Sequence, residues 1–328
     1  MSLSRPRARL TVDGQTLSSA EAALVRLTVA LSLSGAHDPV ELTVWPSSKL
    51  ATAAPGSTMA IALGEEGSEQ DVWAGEVTAV AAGADGVVLD GLAATVALSR
   101  QRVSQSYLDR SVADVVNDLA GSAAVDEVSG DANLPAYSVD DRRPVWDHLR
   151  DLARLTGADV GAAPNGGLRF VPPKSGAADW TLRYGADLLA WSGGAAKPPD
   201  APAVAAYGAA SEAGAEQWHW LLRSPAPAAA PTSLSGAAPM RVVAALRTKD
   251  AAEEMGKALA RRAGRAAWAG RLTVVGSPQV RPGDLVAVSG LPAGDPGTLR
   301  VRAVAHRLDG RAGFLTTLTV EATGEELP

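Results

Sequence analysis

Residues 274–290, VVGSPQVRPGDLVAVSG, place an apolar run, an Arg-Pro-Gly-Asp corner and a second apolar run in succession. Pro282 holds its own φ where a turn needs it, and Gly283 accepts a positive φ, so the pair specifies a tight turn. The flanks carry Val274, Val280, Leu285, Val286 and Val288. The pattern predicts a β-hairpin of two short strands. Strands this short are stable only with neighbours, so the fold turns on how much more β structure surrounds them.

Upstream, residues 5–100 read as strands. RPRARLTVDG closes on an Asp-Gly turn, and ALVRLTVALSL alternates at Leu27, Val29, Leu31 and Leu33. PVELTVWP alternates at Val40, Leu42 and Val44, and STMAIALG, DVWAGEVTAVAA and GVVLDGLAATVAL follow between Gly and Pro residues. Short strands at near-regular spacing predict an antiparallel sandwich or barrel.

The period then changes. In SYLDRSVADVVNDLAGS (106–122), Val112, Val115, Val116 and Leu119 share a helix face, with Ser111 as N-cap and Gly121 as stop. A second helix is predicted over 144–156, opened by Pro144, buried through Trp146, Leu149, Leu152, Ala153 and Leu155, and ended at Gly157. NGGLRFVPP (165–173) reads as a turn into a further strand. Residues 174–240 mix strand-like pieces (DWTLRYG, VAAYGAA, QWHWLLR) with SPAPAAAPTSLSGAAPM, a Pro/Ala/Ser-rich linker composition. A helix over 248–270, with Asp250 and Glu253 at capping-box spacing, leads into the opening hairpin and the strands GTLRVRAVAHRLDG and GFLTTLTVEATG. The predicted order is β, α/β, β, divided as 1–104, 105–173, a mixed segment 174–240, and 241–328.

Composition narrows the function. The 328 residues hold 30 Lys and Arg against 36 Asp and Glu, a formal charge of −6, and no cysteine. A sequence-independent nucleic-acid binder wants a basic stripe, and disulfides and thiolate chemistry are excluded outright. No apolar run reaches the roughly 20 residues of a spanning helix, and no export signal is read at the N-terminus, which predicts a cytoplasmic origin.

Catalytic constellations are equally scarce. The four histidines (37, 148, 219 and 306) lie far apart, and no H-E-x-x-H, nucleophile elbow, P-loop or dinucleotide fingerprint occurs. His148 reads as a partly exposed helix residue. His306 reads as an outward-facing strand residue, opposite Val301, Ala303 and Ala305. The pairs Glu65/Glu66, Asp140/Asp141 and Glu253/Glu254 are explained by turns and a helix start. No catalytic, cofactor-binding or metal-binding residue is assigned, and the chain is read as a non-enzyme needing no cofactor. Trp218 and Trp220 share one face of a predicted strand, either as sheet core or as an interface anchor.

Against this background the order of parts becomes specific. Tyr107, Arg110, Ser111, Val112, Asp114, Val115 and Val116 give Y-x-x-R-S-V-x-D-V-V, followed by a helix beginning near Trp146 and by Leu168-x-Phe170-x-Pro172. An Ala- and Arg-rich helix, the 274–290 segment, VRAVAHRLD with His306, and FLTTL (314–318) complete the series. Over most of 100–328 this resembles the phage late control D proteins and the hub portion of VgrG proteins. The resemblance implies an α+β, mainly β fold: two antiparallel β-barrel, tail-tube-like domains with an inserted small α/β domain. The first barrel (1–104) would be completed by parts of 174–240, and the second would follow the helix in 241–328.

The function implied is a structural baseplate hub of a contractile injection system or phage tail. Three copies would form a pseudo-sixfold ring adapting the hexameric inner tube to a trimeric spike. The implied partners are a homotrimer of itself, the tube hexamer, the spike trimer and other baseplate components, without nucleic-acid sequence recognition or a membrane anchor. Because no spike-like repeats follow EATGEELP, the spike is expected to be a separate polypeptide. Assembly is expected in the cytoplasm, within a particle that can be released. A carbohydrate- or receptor-binding β protein and a cell-wall hydrolase of the tail tip are the competing classes.

Overall fold

The structure, a computed structural model, describes residues 6–33, 35–201, 203–205, 240–242, 245 and 249–324. The N-terminal strands are β1 (Pro6–Val12), β2 (Gln15–Ser18), β3 (Leu24–Ser32), β4 (Pro39–Val44), β5 (Thr58–Glu65), β6 (Gln70–Gly83) and β7 (Gly86–Ala93). A helical turn, α1 (Ala97–Arg100), leads to β8 (Gln105–Ser111), α2 (Val112–Ala120), β9 (Val125–Val128), β10 (Asn133–Val139), α3 (Val145–Thr156), β11 (Asp159–Ala162) and β12 (Leu168–Val171). Then come β13 (Trp180–Arg183), β14 (Leu188–Ala195), β15 (Ala203–Ala205), β16 (Met240–Val242) and α4 (Lys249–Gly264). The chain closes with β17 (Trp268–Val275), β18 (Leu285–Ser289), β19 (Gly297–Asp309) and β20 (Gly313–Ala322).

Local rules account for the pieces. Asp13-Gly14 joins β1 to β2 as a two-residue turn, with Val12 opposite Gln15. Ser111 Oγ accepts from the Asp114 amide at 3.1 Å, capping α2 at the residue expected. Gly157 ends α3 with φ 75°, the left-handed value a Cβ would oppose. α4 is shorter than the 248–270 expected, because Trp268–Val275 is recruited as a strand.

Among the described residues, strands from both ends of the chain form one thirteen-stranded sheet. Its main path runs β14-β17-β20-β19-β3-β4-β7-β6-β5-β1-β2, with β18 on β19 and β13 on β18. The joint is the antiparallel pairing of β3 with β19, from Ser32 opposite Ala303 to Arg26 opposite Asp309. Both ends bury one continuous core, in which Leu27, Leu42, Ile61, Leu63 and Trp73 meet Leu272, Val286, Val301, Val304 and Leu318. A second core belongs to the α/β unit, where α2 and α3 pack Val115, Val116, Trp146 and Leu149 against Leu168 and Phe170. Ala252 and Met255 of α4 and Val204 of β15 join it.

Two expectations are corrected here. The 274–290 segment turns at Pro282-Gly283, and Gly283 takes φ 98°, but it is no hairpin. β17 pairs with β14 and β20, while β18 pairs antiparallel with β19 and parallel with β13. The corner therefore carries the chain between two places in the sheet. Likewise, His306 is fully buried. A bulge lies between Val301 and Ala303. The extra residue, Arg302, reverses the alternation, so Val304, His306 and Leu308 face inward.

Candidate functional site

Two regions stand out: an open sheet edge and a polar seam. The edge is β14, LLAWSGGA, which pairs with β17 on one side and, among the described residues, has only a single bridge at Leu188 on the other. It spans eight residues without a charge or a proline, the two devices by which sheets ordinarily protect an edge. Apolar side chains gather at one corner of it. A bridge joins Tyr184 to Leu188, and Leu188 stands opposite Val274. This brings Tyr184 (41 % exposed), Leu189 (54 %) and Val275 (63 %) to the same end of the strand pair. An uncharged edge flanked by exposed apolar side chains is suited to pairing with another chain.

The seam lies where β19 changes partner. Residues 297–300 of β19 pair with β18, and residues 303–309 pair with β3. Arg302 sits between, and its carbonyl accepts from the Leu33 amide at 3.1 Å. Asp284 pins the neighbouring corner. Its carboxylate accepts from Lys174 Nζ at 2.7 Å, Trp180 Nε1 at 3.0 Å and the Arg281 amide at 2.8 Å. A cavity of about 200 Å³ opens beside it, lined in part by Leu31, Asp38, Asp159 and Arg281.

Asp38 is the unusual group there. It is buried, and its Oδ1 accepts from the Ser32 amide at 2.8 Å. Burial drives its pKa up to about 7, against the lowering effect of that hydrogen bond. Its backbone carbonyl accepts from Trp73 Nε1 at 3.0 Å and the Ala93 amide at 2.9 Å, which anchors the main chain there. Arg281 donates from Nη2 to the Asp71 carbonyl at 2.6 Å, and its buried Nη1 has no hydrogen-bond partner. His306 contacts Thr316 Oγ1 through Nδ1 at 3.0 Å. Burial, helped by the Arg281 charge, holds its pKa down at about 3.

The other sequence-selected groups do not converge. His148 is buried, contrary to expectation, with Nε2 3.0 Å from the Asp140 carbonyl. The reason is its place on the α3 face that closes the α/β core. His37 lies between Thr95 Oγ1 at 3.0 Å and Ser99 Oγ at 2.6 Å. Burial, then Arg150 and Arg100, lower its pKa. Glu66 faces Arg7, Asp140 pairs with Arg142 at 2.9 Å, and Glu254 pairs with Lys257 at 2.6 Å. Among the described residues no three His, Asp or Glu side chains form a group that could hold a metal ion, and no helix is long and apolar enough to cross a membrane. Trp218, His219 and Trp220 lie outside the described residues.

Sequence reading passed over β14, because LLAWSGGA has no consistent alternation. Its uncharged run between Asp187 and Lys197 is the signal that could have marked it.

The sheet organisation defines a class: this is the fold of phage tail proteins. A tail protein from Neisseria meningitidis MC58 is similar over 98 % of this chain and 97 % of its own, with TM-score 0.73 at 15 % identity. The 43 kDa tail protein of prophage MuSo2 from Shewanella oneidensis is similar over 97 % and 99 %, with TM-score 0.71 at 15 % identity. An E. coli component of the type VI secretion system, described as structurally similar to the T4 bacteriophage tail proteins gp27 and gp5, follows at TM-score 0.58 and 11 % identity, over 90 % of this chain and 73 % of that one. No family model and no curated protein matches the sequence.

Proposed function

We propose that this chain is a structural, non-enzymatic hub of a tail-like baseplate, working as a homotrimer. In this reading the β strands of residues 1–104 and of 241–328 act as two tube-like barrels, with the α/β unit of 105–173 inserted between them. Three copies then present six similar units to a hexameric inner tube and three to a separate trimeric spike. The observation that carries the reading is the β14 edge. A tail-protein fold in which an uncharged eight-residue strand has β17 on one side and, among the described residues, only the Tyr184–Leu188 bridge on the other, beside Tyr184, Leu189 and Val275, has a ready surface for subunit association.

Native mass spectrometry of the protein, alone and mixed with the tube and spike proteins of the same particle, tests the proposal. A trimer is expected, and Leu189→Lys should return it to monomer while leaving the circular dichroism spectrum unchanged. A wild-type protein that remains monomeric with both partners present would refute the hub assignment.

A further inference from the structure

Six arginines from three separate elements meet at one face of the seam. Arg150 and Arg154 stand on α3, Arg262 and Arg265 at and just beyond the end of α4, and Arg300 and Arg302 on β19. They line two adjoining recesses, which share Leu33, Ala158 and Arg262, and the larger has a volume of about 440 Å³. The larger recess contains two carboxylates, Asp159 and Glu321, and the smaller contains none. This charge is opposite in sign to that of the whole chain, which is −6.

The available acids are already committed. The Arg300 guanidinium pairs with Asp159 and, through Nη1, with Glu321 at 2.8 Å. Glu321 stands 3.9 Å from Arg265 Nε, beyond hydrogen-bond reach. Asp147 and Asp151, outside the recesses, face Arg150 and Arg154 at 3.4 and 3.2 Å. Arg262 and Arg302 have no carboxylate partner among the described residues.

Two further features lie beside the recess. The Nε atoms of Arg265 and Arg300 are buried without a hydrogen-bond partner, and the Arg300 side chain is only 3 % exposed. A buried guanidinium N–H with no acceptor is costly unless something supplies one. Arg265 is further disfavoured as a cation, by burial first and then by Arg300 and Arg262, although Asp159 and Glu321 act in the other direction. The β19 bulge adds a geometric sign, since bulges re-aim side chains next to functional sites, and Arg302 is the residue this one inserts.

We propose that this arginine-lined recess docks a carboxylate-bearing segment of a partner protein. Arg262 and Arg302 meet the segment first, and Arg265 lies deeper. Guanidinium forks match carboxylates in bidentate geometry. An extended polyphosphate chain fits less well, because Asp159 and Glu321 interrupt the basic surface and the chain as a whole is acidic. Docking at the recess is independent of the trimer and stands or falls separately.

The test is fluorescence anisotropy with a labelled hexaglutamate peptide, with a hexaglutamine peptide, inorganic phosphate and a twelve-nucleotide single-stranded DNA as competitors. Saturable binding that weakens with salt is expected, displaced by none of the three at equal concentration. R262Q/R302Q should lower the affinity roughly tenfold or more. Its thermal transition should be unchanged, because neither arginine pairs with a buried acid. If the double variant does not fold, R262Q alone, on an exposed helix end, should still lower affinity severalfold. No binding, unchanged binding in the variants, or stronger competition by the DNA or phosphate overturns the proposal. So does a rise in peptide affinity in E325Q/E326Q, which would mean that the chain's own acidic residues fill the recess.

Discussion

Asp38→Asn should change how the protein responds to pH. The carboxyl has a pKa near 3.8 when unfolded and about 7 when buried in the fold. A raised folded pKa means that protonation stabilises: the contribution is complete below about pH 4 and is lost as pH rises through 7. Each pH unit that separates the folded from the unfolded pKa corresponds to about 1.4 kcal/mol, so full ionisation of Asp38 in place costs on the order of 4 kcal/mol. About 2.5 kcal/mol of that falls between pH 5 and pH 8. Asparagine keeps an oxygen to accept from the Ser32 amide and carries no charge. Urea denaturation of both proteins at half-unit pH steps isolates the effect, since every other titrating group cancels in the difference. The variant should gain about 2.5 kcal/mol on the wild type between pH 5 and pH 8. A difference that stays constant over that range would refute the argument that burial governs this carboxyl.

His306 should act with the opposite sign. Its folded pKa is depressed to about 3, so stability present above pH 6.5 is lost as pH falls toward 3, and His306→Gln should remove about 2.5 kcal/mol of that slope between pH 7 and pH 4.5 in the same assay. Gly75→Ala should be severely destabilising, because a Cβ there would overlap the Leu92 carbonyl oxygen and come within 2.8 Å of the Ala93 Cα on the paired strand. A fall in the melting temperature of many degrees, or insoluble expression, is expected, whereas Gly310→Ala, with open space around it and no positive φ, should still yield folded protein.

Much of the fold is written locally. The Val112/Val115/Val116/Leu119 spacing, the Ser111 cap and the Gly157 stop each act within one helical turn, so a reader of the sequence finds α2 and α3 where they are. The alternation at Leu27, Val29 and Leu31 likewise gives the buried face of β3. What was not legible depends on distant partners. Val274 and Val286 look like two arms of one hairpin, and nothing between them says that one arm joins β20 and the other β13 and β19. His306 was assigned to the wrong face because a single inserted residue, Arg302, is chemically ordinary and shifts the period of everything after it. The arginine recess escapes sequence reading for the same reason. Its members sit at 150, 154, 262, 265, 300 and 302, and only the folded chain brings them together.

The β3–β19 joint also constrains how the protein is made. Leu27 and Leu308 face each other across that ladder although roughly 280 residues of chain separate them, so this contact closes late and slowly. At about 5–20 residues per second, a ribosome that has just finished β3 needs on the order of tens of seconds before β19 emerges. Throughout that interval the nascent N-terminal sheet carries a bare nine-residue edge with alternating apolar side chains. A strand able to cover it is carried by a copy of the chain far enough ahead in synthesis to have completed its own β19. Exchange of that strand between an unfinished chain and a more advanced copy is the misassembly that this connectivity invites.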